Sequence, residues 1–472
     1  MSQVSISRPV TLPSGRAGSW PLSALEGSKL RPLWLDTPDR PAPRLPLIDD
    51  IETDLLVVGG GLTGLWTALR AVERNPGRQV VLIESDRIAE HAAGRNGGMC
   101  EASITHGEHN GRTRWPDEYD QLHQLGMRNL DEIEQTVSRY DIGCGFRRGG
   151  SLSVATRSHE VLKFRPDIEG FLGATATRAI VDSPTYLAGR HSPRDCSVVD
   201  PARLAWGLAK AAESQGVRIH EHTRLESLTR KGGRVLATTA GGTVRAANVV
   251  LATNVFPGPL RRPRWSVVPV YDYVLATEPL TDEQLRSLNW DPAIAVTDFG
   301  NQFHYYRITP DNRILWGGYD AVYHFGRSIR NELQDRRVTF EKLARHFAET
   351  FPQLEGIRFT HRWAGVIDAS TRFAAFFGQA HGGRTAYATG FTGLGVGASR
   401  FAADVMLDQL AGLSTERTRL RMVREKPLPF PPEPIAWIGI QITRWSMDRE
   451  DRTGRRNLWL RLLDRLGLGF AS

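Results

Sequence analysis

The sequence predicts an α/β plus β fold: a Rossmann-like dinucleotide-binding domain, discontinuous along the chain, with an inserted antiparallel β-sheet domain. Three observations lead there. An apolar strand runs into the glycine-rich turn "VVGGGLTG" and then into a helix and a second strand, all within residues 54–84. A helix–strand block over residues 200–254 and a third glycine-rich turn within 385–412 repeat that α/β character. Between them, residues 265–280 and 300–320 alternate apolar and polar positions and are rich in aromatics, the period of antiparallel strands.

Taken in chain order, residues 1–50 are rich in Pro, Ser and Arg and read as an irregular arm anchored by Trp34. Strand 54–58, the glycine turn, helix 63–74, a turn at 75–78 and strand 79–84 make one βαβ unit. Leu204, Leu208 and Ala211 at helical spacing predict a helix over 202–215, stopped by Gly216 and followed by a strand at 217–221. Residues 234–246 read as a hairpin and 247–254 as a buried strand with its loop, while 385–412 reads strand, glycine turn, helix. The expected division is an arm (1–50), a nucleotide-binding domain (51–110, 198–262 and 360–425), a substrate domain (111–197 and 263–359), and a linker with a helical tail (426–472).

Composition narrows the function classes. The 472 residues exceed what one hydrophobic core fills, so two domains are expected. The formal charge is +8, but lysine occurs only at Lys29, Lys163, Lys210, Lys231, Lys342 and Lys426, and the arginines are dispersed among acids. That pattern is not a nucleic-acid footprint, and no nucleic-acid partner is expected. The three cysteines, Cys100, Cys144 and Cys196, are too far apart for a metal knuckle or a redox pair, so no metal site is expected. The first residues lack the basic and apolar regions of a secretory signal, and no window offers ~18 uninterrupted apolar residues, so a cytoplasmic protein without a transmembrane span is expected.

Gly59, Gly61 and Gly64 satisfy GxGxxG between a strand and a helix, with Leu62 and Thr63 opening the helix. Gly59 allows the tight turn, Gly61 a close approach of pyrophosphate, and Gly64 close helix–strand packing. Glu84, with Ser85 after it, ends the second strand, where a carboxylate accepts hydrogen bonds from ribose hydroxyls and repels a 2′-phosphate. Farther on, Gly94, Arg95, Asn96, Gly97, Gly98 and Met99 place bare glycines beside a cation and an amide, a composition suited to backbone approach to a flat or anionic ligand; an ordinary flexible loop is the other reading.

Together "VVGGGLTGLWTALRAVE", Glu84, "AAGRNGG", "CGFRRGGSLSVA" and "YATGFTGLGVGAS" resemble the FAD-dependent D-amino-acid/amine oxidoreductase (DAO) family of glycine and sarcosine oxidases and γ-glutamylputrescine oxidoreductase-like members. The resemblance runs from about residue 51 to 412 and implies a Rossmann-like FAD-binding domain with an inserted antiparallel β-sheet substrate domain. It implies that residues 59–64 hold the pyrophosphate, Glu84 the adenosine ribose, and residues 95–99 the pyrophosphate and isoalloxazine edge. It further implies that Leu225 meets the adenine and that Ala252, Thr253 and Asn254 pass the ribityl chain. Gly390, Phe391, Thr392, Gly393, Leu394 and Gly395 would sit at the pyrimidine end, where N–H groups at a helix N-terminus stabilise a reduced flavin. Some relatives attach FAD through a cysteine before this last turn; "HRWAGVIDASTRFAAFFG" has none, so non-covalent FAD is expected, with a histidyl link at His91 the lesser alternative. Sarcosine oxidase-like members carry a lysine where Thr392 stands, and many members of the family a Thr-Pro-Asp run where this chain has "IDASTRF", which puts sarcosine in doubt and leaves the substrate open.

The chemistry this implies is oxidation of a C–N bond of an amine or amino acid to an imine, by hydride transfer to flavin N5, with O2 as acceptor giving H2O2. Alternatives are a dehydrogenase using a quinone or carrier protein, a flavin-binding non-catalytic subunit, and an NAD-only enzyme. The pocket needs an anchor and aromatic walls. Arg307 as a carboxylate clamp, His304, Tyr305 and Trp363 are the candidates, alongside Tyr271, Tyr273 and Tyr306, with sheet packing the competing role for each aromatic. In the tail, Leu458, Leu462 and Leu466 share a helix face; docking on the body or a second subunit is expected, with weak interfacial contact the alternative.

Overall fold

Leu55, Leu56, Val57 and Val58 leave no polar side chain to place in solvent, and the strand they end, Ile51–Val58, lies at the centre of an eight-stranded sheet. The computed structural model describes residues 20–164 and 169–468. The parallel part of the sheet runs Thr385–Thr389, Gly242–Leu251, Ile51–Val58, Val80–Ile83, Arg218–His220. Gly242–Leu251 is forked: its first half pairs antiparallel with Arg234–Thr239, its second half parallel with Thr385–Thr389. The second arm of the predicted hairpin and the predicted buried strand are thus one continuous strand.

Both sheet faces are covered, which is why its strands read as apolar runs rather than alternations. Leu55, Val57, Leu82 and Val250 point to one side, under the helices Leu62–Arg74, Pro201–Ser214 and Gly395–Leu410. Leu56, Val58, Val81, Ile83, Val249 and Leu251 point to the other, under the hairpin of Ser227–Lys231 and Arg234–Thr239.

The second sheet has nine strands, mostly antiparallel, in the order Lys29–Leu30, Phe359–Ser370, Val267–Thr277, Ile314–Gly318, His304–Ile308, Ala295–Asp298, Ser151–Ala155, Ala188–Ser192, Phe171–Gly173. Helix Arg337–Thr350 covers it through Phe340, Leu343 and Phe347, which pack with Tyr273, Trp316 and Phe359.

Three expected boundaries shift. Phe359–Ser370 pairs along its length with Val267–Thr277, so the expected border at 360 falls inside a strand of the second sheet. Helix Tyr119–Arg139, expected in the substrate domain, buries Leu122, Leu125, Leu130 and Ile133 in the nucleotide-domain core, because its apolar stripe fits the exposed flank of Gly395–Leu410. The arm, of which residues 20 onward are described, is partly regular: Lys29–Leu30 adds an edge strand to Phe359–Ser370. Trp34 anchors it, buried with its Nε1 donating to Asn96 O at 2.8 Å.

The tail helix Ile435–Thr453 docks on the second sheet through polar contacts. Asp451 accepts from the Asn301 and Gln302 N–H groups, and Gln302 Nε2 donates to Arg444 O at 3.0 Å. Its apolar residues Ile435, Ile438, Ile442 and Trp445 face outward, as do Leu458 and Leu462 of the last helix, Leu458–Arg465, and Leu466 that caps it. The expected docking of that leucine face on the body does not occur, because carboxylates and amides make the contact instead.

Candidate active site

A cleft of about 880 Å3 runs from the glycine turn at Gly59 across to the second sheet. At its near end Gly59 takes φ +113°, a conformation L side chains avoid, and Gly61 caps helix Leu62–Arg74 without a side chain. The unpaired N–H groups of that first helical turn open into the cleft, a ready site for pyrophosphate. Glu84 borders them, and its carboxylate is pinned by the Gly60 N–H at 2.6 Å and the Asp86 N–H at 2.8 Å.

Most sequence-predicted cofactor residues line this cleft: Gly59, Gly61, Leu62, Thr63, Glu84, Ser85, Arg95, Asn96, Gly97, Met99, Leu225, Ala252, Thr253, Asn254, Phe391, Thr392, Gly393, Leu394 and Gly395. Gly64, Gly94, Gly98 and Gly390 lie behind it, and their role is packing. A Cβ on Gly64 would sit 1.9 Å from Gly59 O, one on Gly94 2.2 Å from Ala89 O, and one on Gly98 2.2 Å from Val199 O. Gly390 has φ +81° with the Ser370 Cβ at 2.9 Å from a built Cβ.

The loop carrying Arg95–Met99 is braced from three sides. Trp34 holds Asn96 O, Trp363 Nε1 donates to Arg95 O at 2.9 Å, and Arg307 Nη1 donates to Gly98 O at 3.0 Å and Val199 O at 2.6 Å. This corrects two expectations. Arg307 is no carboxylate clamp: it is 1% exposed, its guanidinium spent on carbonyls, and burial pulls its pKa down to about 10. Trp363 is also buried and does not wall the cleft. His304 is likewise withdrawn, bonded to Asp298 through Nδ1 and to His346 through Nε2 at 2.9 Å. Tyr271, Tyr273 and Tyr306 are buried, their hydroxyls bonded to Arg330 O, Leu333 O and Tyr186.

Of the named candidates, Tyr305 lines the far end of the cleft. Its ring is wedged between two glycines: a Cβ on Gly97 or on Gly317 would each sit 2.6 Å from it. Its hydroxyl donates to Asp272, whose carboxyl burial pushes up to about 6. Glu101 also lines the cleft, pushed up to about 7 by burial and by the neighbouring Asp195.

The last glycine turn has an unforeseen organiser. Asp368, fully buried, accepts from Gly390 N at 2.6 Å, Phe391 N at 3.1 Å and Thr389 Oγ1 at 3.0 Å. The N–H groups of Gly390 and Phe391 are therefore spent on a side chain, while those of the helix opening at Gly395 remain for an anion. Asp368 is the acid of the "IDASTRF" stretch, so that departure from the family pattern buttresses the turn. Asp272 had a signal in sequence, an acid between two tyrosines in an otherwise apolar strand. Arg444 and Met447, which reach the cleft from the tail helix, had none.

Residues 54–409 match the family described as DAO, FAD dependent oxidoreductase. γ-Glutamylputrescine oxidoreductase of Escherichia coli (strain K12) is 30% identical over 384 residues, covering 79% of this chain and 86% of that protein. Glycine oxidase from Geobacillus kaustophilus superposes with TM-score 0.62 at 21% identity, covering 78% of this chain and 96% of that one. L-Proline dehydrogenase from P. horikoshii superposes with TM-score 0.62 at 18% identity, over 83% and 97%. The chain belongs to the DAO family of FAD-dependent oxidoreductases. It is an enzyme, a flavoprotein using FAD and acting on amines or amino acids. Among the described residues no helix is long and apolar enough to cross a membrane.

Proposed function

We propose that this enzyme oxidises a C–N bond of an amine or amino acid to an imine and passes the electrons to O2, releasing H2O2. The observation that carries the reading is the single cleft joining the dinucleotide turn at Gly59–Thr63 and Glu84 to the Tyr305–Asp272 pair and Glu101. The residues fit FAD: Gly59, Gly61 and Thr63 take the pyrophosphate, Glu84 the ribose, residues 95–97 and 391–395 the flavin end. Bound FAD supplies the two-electron acceptor for the hydride leaving the carbon next to nitrogen.

The chain's own part is orientation and protonation. An amine gives up hydride from its neutral form, so its ammonium proton must first leave. Asp272 and Glu101, ionised above about 6 and 7 yet more basic than ordinary carboxylates, hold that proton at their carboxyl oxygens. Tyr305 fixes Asp272 by its hydrogen bond and narrows the passage beside Gly97. A cysteinyl link to FAD has no candidate, since none of the cysteines lines the cleft, whereas His91 does line it.

A second acceptor, a quinone or carrier protein, is favoured by one observation: the outward apolar stripe of Ile435, Ile438, Ile442 and Trp445. The test is anaerobic reduction of the bound flavin with a panel of amines, polyamines, D- and L-amino acids and N-methylated amino acids, then mixing with O2. Reduction by amines followed by rapid reoxidation with H2O2 release is expected. Reduction with sluggish reoxidation refutes the oxidase step in favour of the second acceptor; no reduction by any compound refutes the amine reading.

A further inference from the structure

The two helices that lie beyond the family-matched residues 54–409, Ile435–Thr453 and Leu458–Arg465, divide their charges by face. All four of their carboxylates are committed to protein partners. Asp451 accepts from the Asn301 and Gln302 N–H groups, Glu450 and Asp464 hold Arg456 at 2.6 and 2.5 Å, and Asp448 holds Arg452 at 2.8 Å. Glu433, just before the first helix, is taken by the Tyr323 hydroxyl and the Trp437 N–H.

What remains outward is apolar or cationic. Ile435, Ile438, Ile442 and Trp445 recur at three and four residues and so share one side of the first helix. Arg449 extends the row, its guanidinium 5.7 Å from the Trp445 ring. Leu458 and Leu462 repeat the pattern on the second helix, where Arg461 and Arg465 flank them. Leu458 is 82% exposed, Ile435 60% and Trp445 55%, so neither row is covered by the body of the protein. Arg449, Arg461 and Arg465 are exposed and form no ion pair among the described residues.

The same chemistry continues onto the neighbouring loops. Trp437 meets Phe325 with ring centroids 6.3 Å apart, and two residues on Arg327 lies over the exposed ring of Trp265 and donates to Arg264 O. Half-exposed at ~200 Å2 each, the four aromatics Trp265, Phe325, Trp437 and Trp445 alone leave about 400 Å2 uncovered. The largest apolar patch of an ordinary soluble monomer is ~300–600 Å2 in all, and here the isoleucines come in addition.

Charge selects the occupant. A second copy meeting this face through a two-fold axis would set arginine against arginine with no carboxylate between them. Apolar rows on convex helices, edged by tryptophan and by long cationic side chains, suit a fluid apolar layer beneath anionic groups: tryptophan sits at the boundary and the arginine stems reach back to phosphates.

We propose that this face attaches the enzyme to an anionic phospholipid bilayer, the apolar rows entering the boundary between headgroups and acyl chains and Arg449, Arg461 and Arg465 pairing with lipid phosphates. No helix among the described residues is long and apolar enough to cross the bilayer, so the attachment is peripheral and weakened by salt. Arg444 and Met447, each two residues on from Ile442 and Trp445, fall on the other side of the helix and line the cleft, so attachment and cleft use opposite sides of one element.

The test is co-sedimentation of the FAD-loaded full chain with phosphatidylcholine vesicles and with vesicles in which about one third of the lipid is phosphatidylglycerol, at low and high salt. Binding to the anionic vesicles at least tenfold tighter than to the neutral ones, and weakened by salt, is expected. The double variants Ile438→Ser/Ile442→Ser and Arg461→Gln/Arg465→Gln should each weaken it at least tenfold while flavin content and melting temperature hold, because all four side chains are solvent-facing. No sedimentation with either vesicle, equal binding to both, or variants that bind as the wild type does overturn the proposal. A dimer in light scattering that Ile438→Ser/Ile442→Ser abolishes overturns it as well, since a second copy then covers the row. None of these readouts depends on which amine is oxidised, so failure of the amine reading leaves the attachment standing.

Discussion

Replacing Asp368 by Asn removes one ionisable group from beneath the last glycine turn while keeping its shape. Asp368 is 2% exposed, and burial pushes its pKa from 3.8 up to about 6 despite three donated hydrogen bonds. A carboxyl whose folded pKa is raised binds its proton more tightly in the folded state, so folding is penalised above that pKa and the penalty fades as pH falls toward the unfolded value. Between pH 7.5 and 5.0, proton linkage for a shift of this size stabilises the wild type by about 1.4 kcal/mol relative to Asp368→Asn. The offset at pH 7.5 is set by the amide, which turns an N–H₂ group toward the Gly390 or Phe391 N–H and costs about 1–3 kcal/mol there. His346 acts in the opposite sense, burial pulling it down to about 3, so its stabilisation is lost as pH falls below 6.5; both proteins carry it and it cancels. The assay is urea unfolding of both proteins at the two pH values with FAD fixed and saturating. A stability difference that stays the same at pH 5.0 and 7.5 refutes the assignment of a raised Asp368 pKa.

Gly64→Ala places a Cβ 1.9 Å from Gly59 O, a backbone atom that cannot yield, so a loss of about 3 kcal/mol or more is expected, read as protein with no bound flavin or no soluble protein. Gly97→Ala drives a methyl into the Tyr305 ring, which Gly317 blocks from behind; flavin content should hold while the reduction rate constant falls at least tenfold in stopped flow. Trp34→Phe deletes the bond to Asn96 O, worth about 1–2 kcal/mol, and FAD affinity measured by fluorescence should fall roughly 5- to 30-fold.

Local signals were legible because their physics is local. The helices Leu62–Arg74 and Pro201–Ser214 read within a residue of their observed bounds and the strand before the glycine turn ends where expected, though it starts three residues earlier, since an apolar period and a glycine are visible in a short window. Arg307, His304 and Trp363 were misread for the complementary reason. Side-chain type named them as functional, but whether a strand residue faces a cleft or a core depends on what its sheet packs against, and all three turn inward. The amphipathic helix Tyr119–Arg139 shows the same limit: its stripe was plain, its partner was not.

By itself, then, the sequence pointed to a dinucleotide cradle with its acid at Glu84, because backbone turns that need glycine write themselves into the chain, and the resemblance of several such motifs to one family implied the flavin chemistry. Only the tertiary structure decided which side chains line the far part of the cleft. Asp272, Tyr305, Glu101 and Arg444 come from four segments between residues 101 and 444, and sheet pairing and helix docking over such separations leave no periodic trace in sequence.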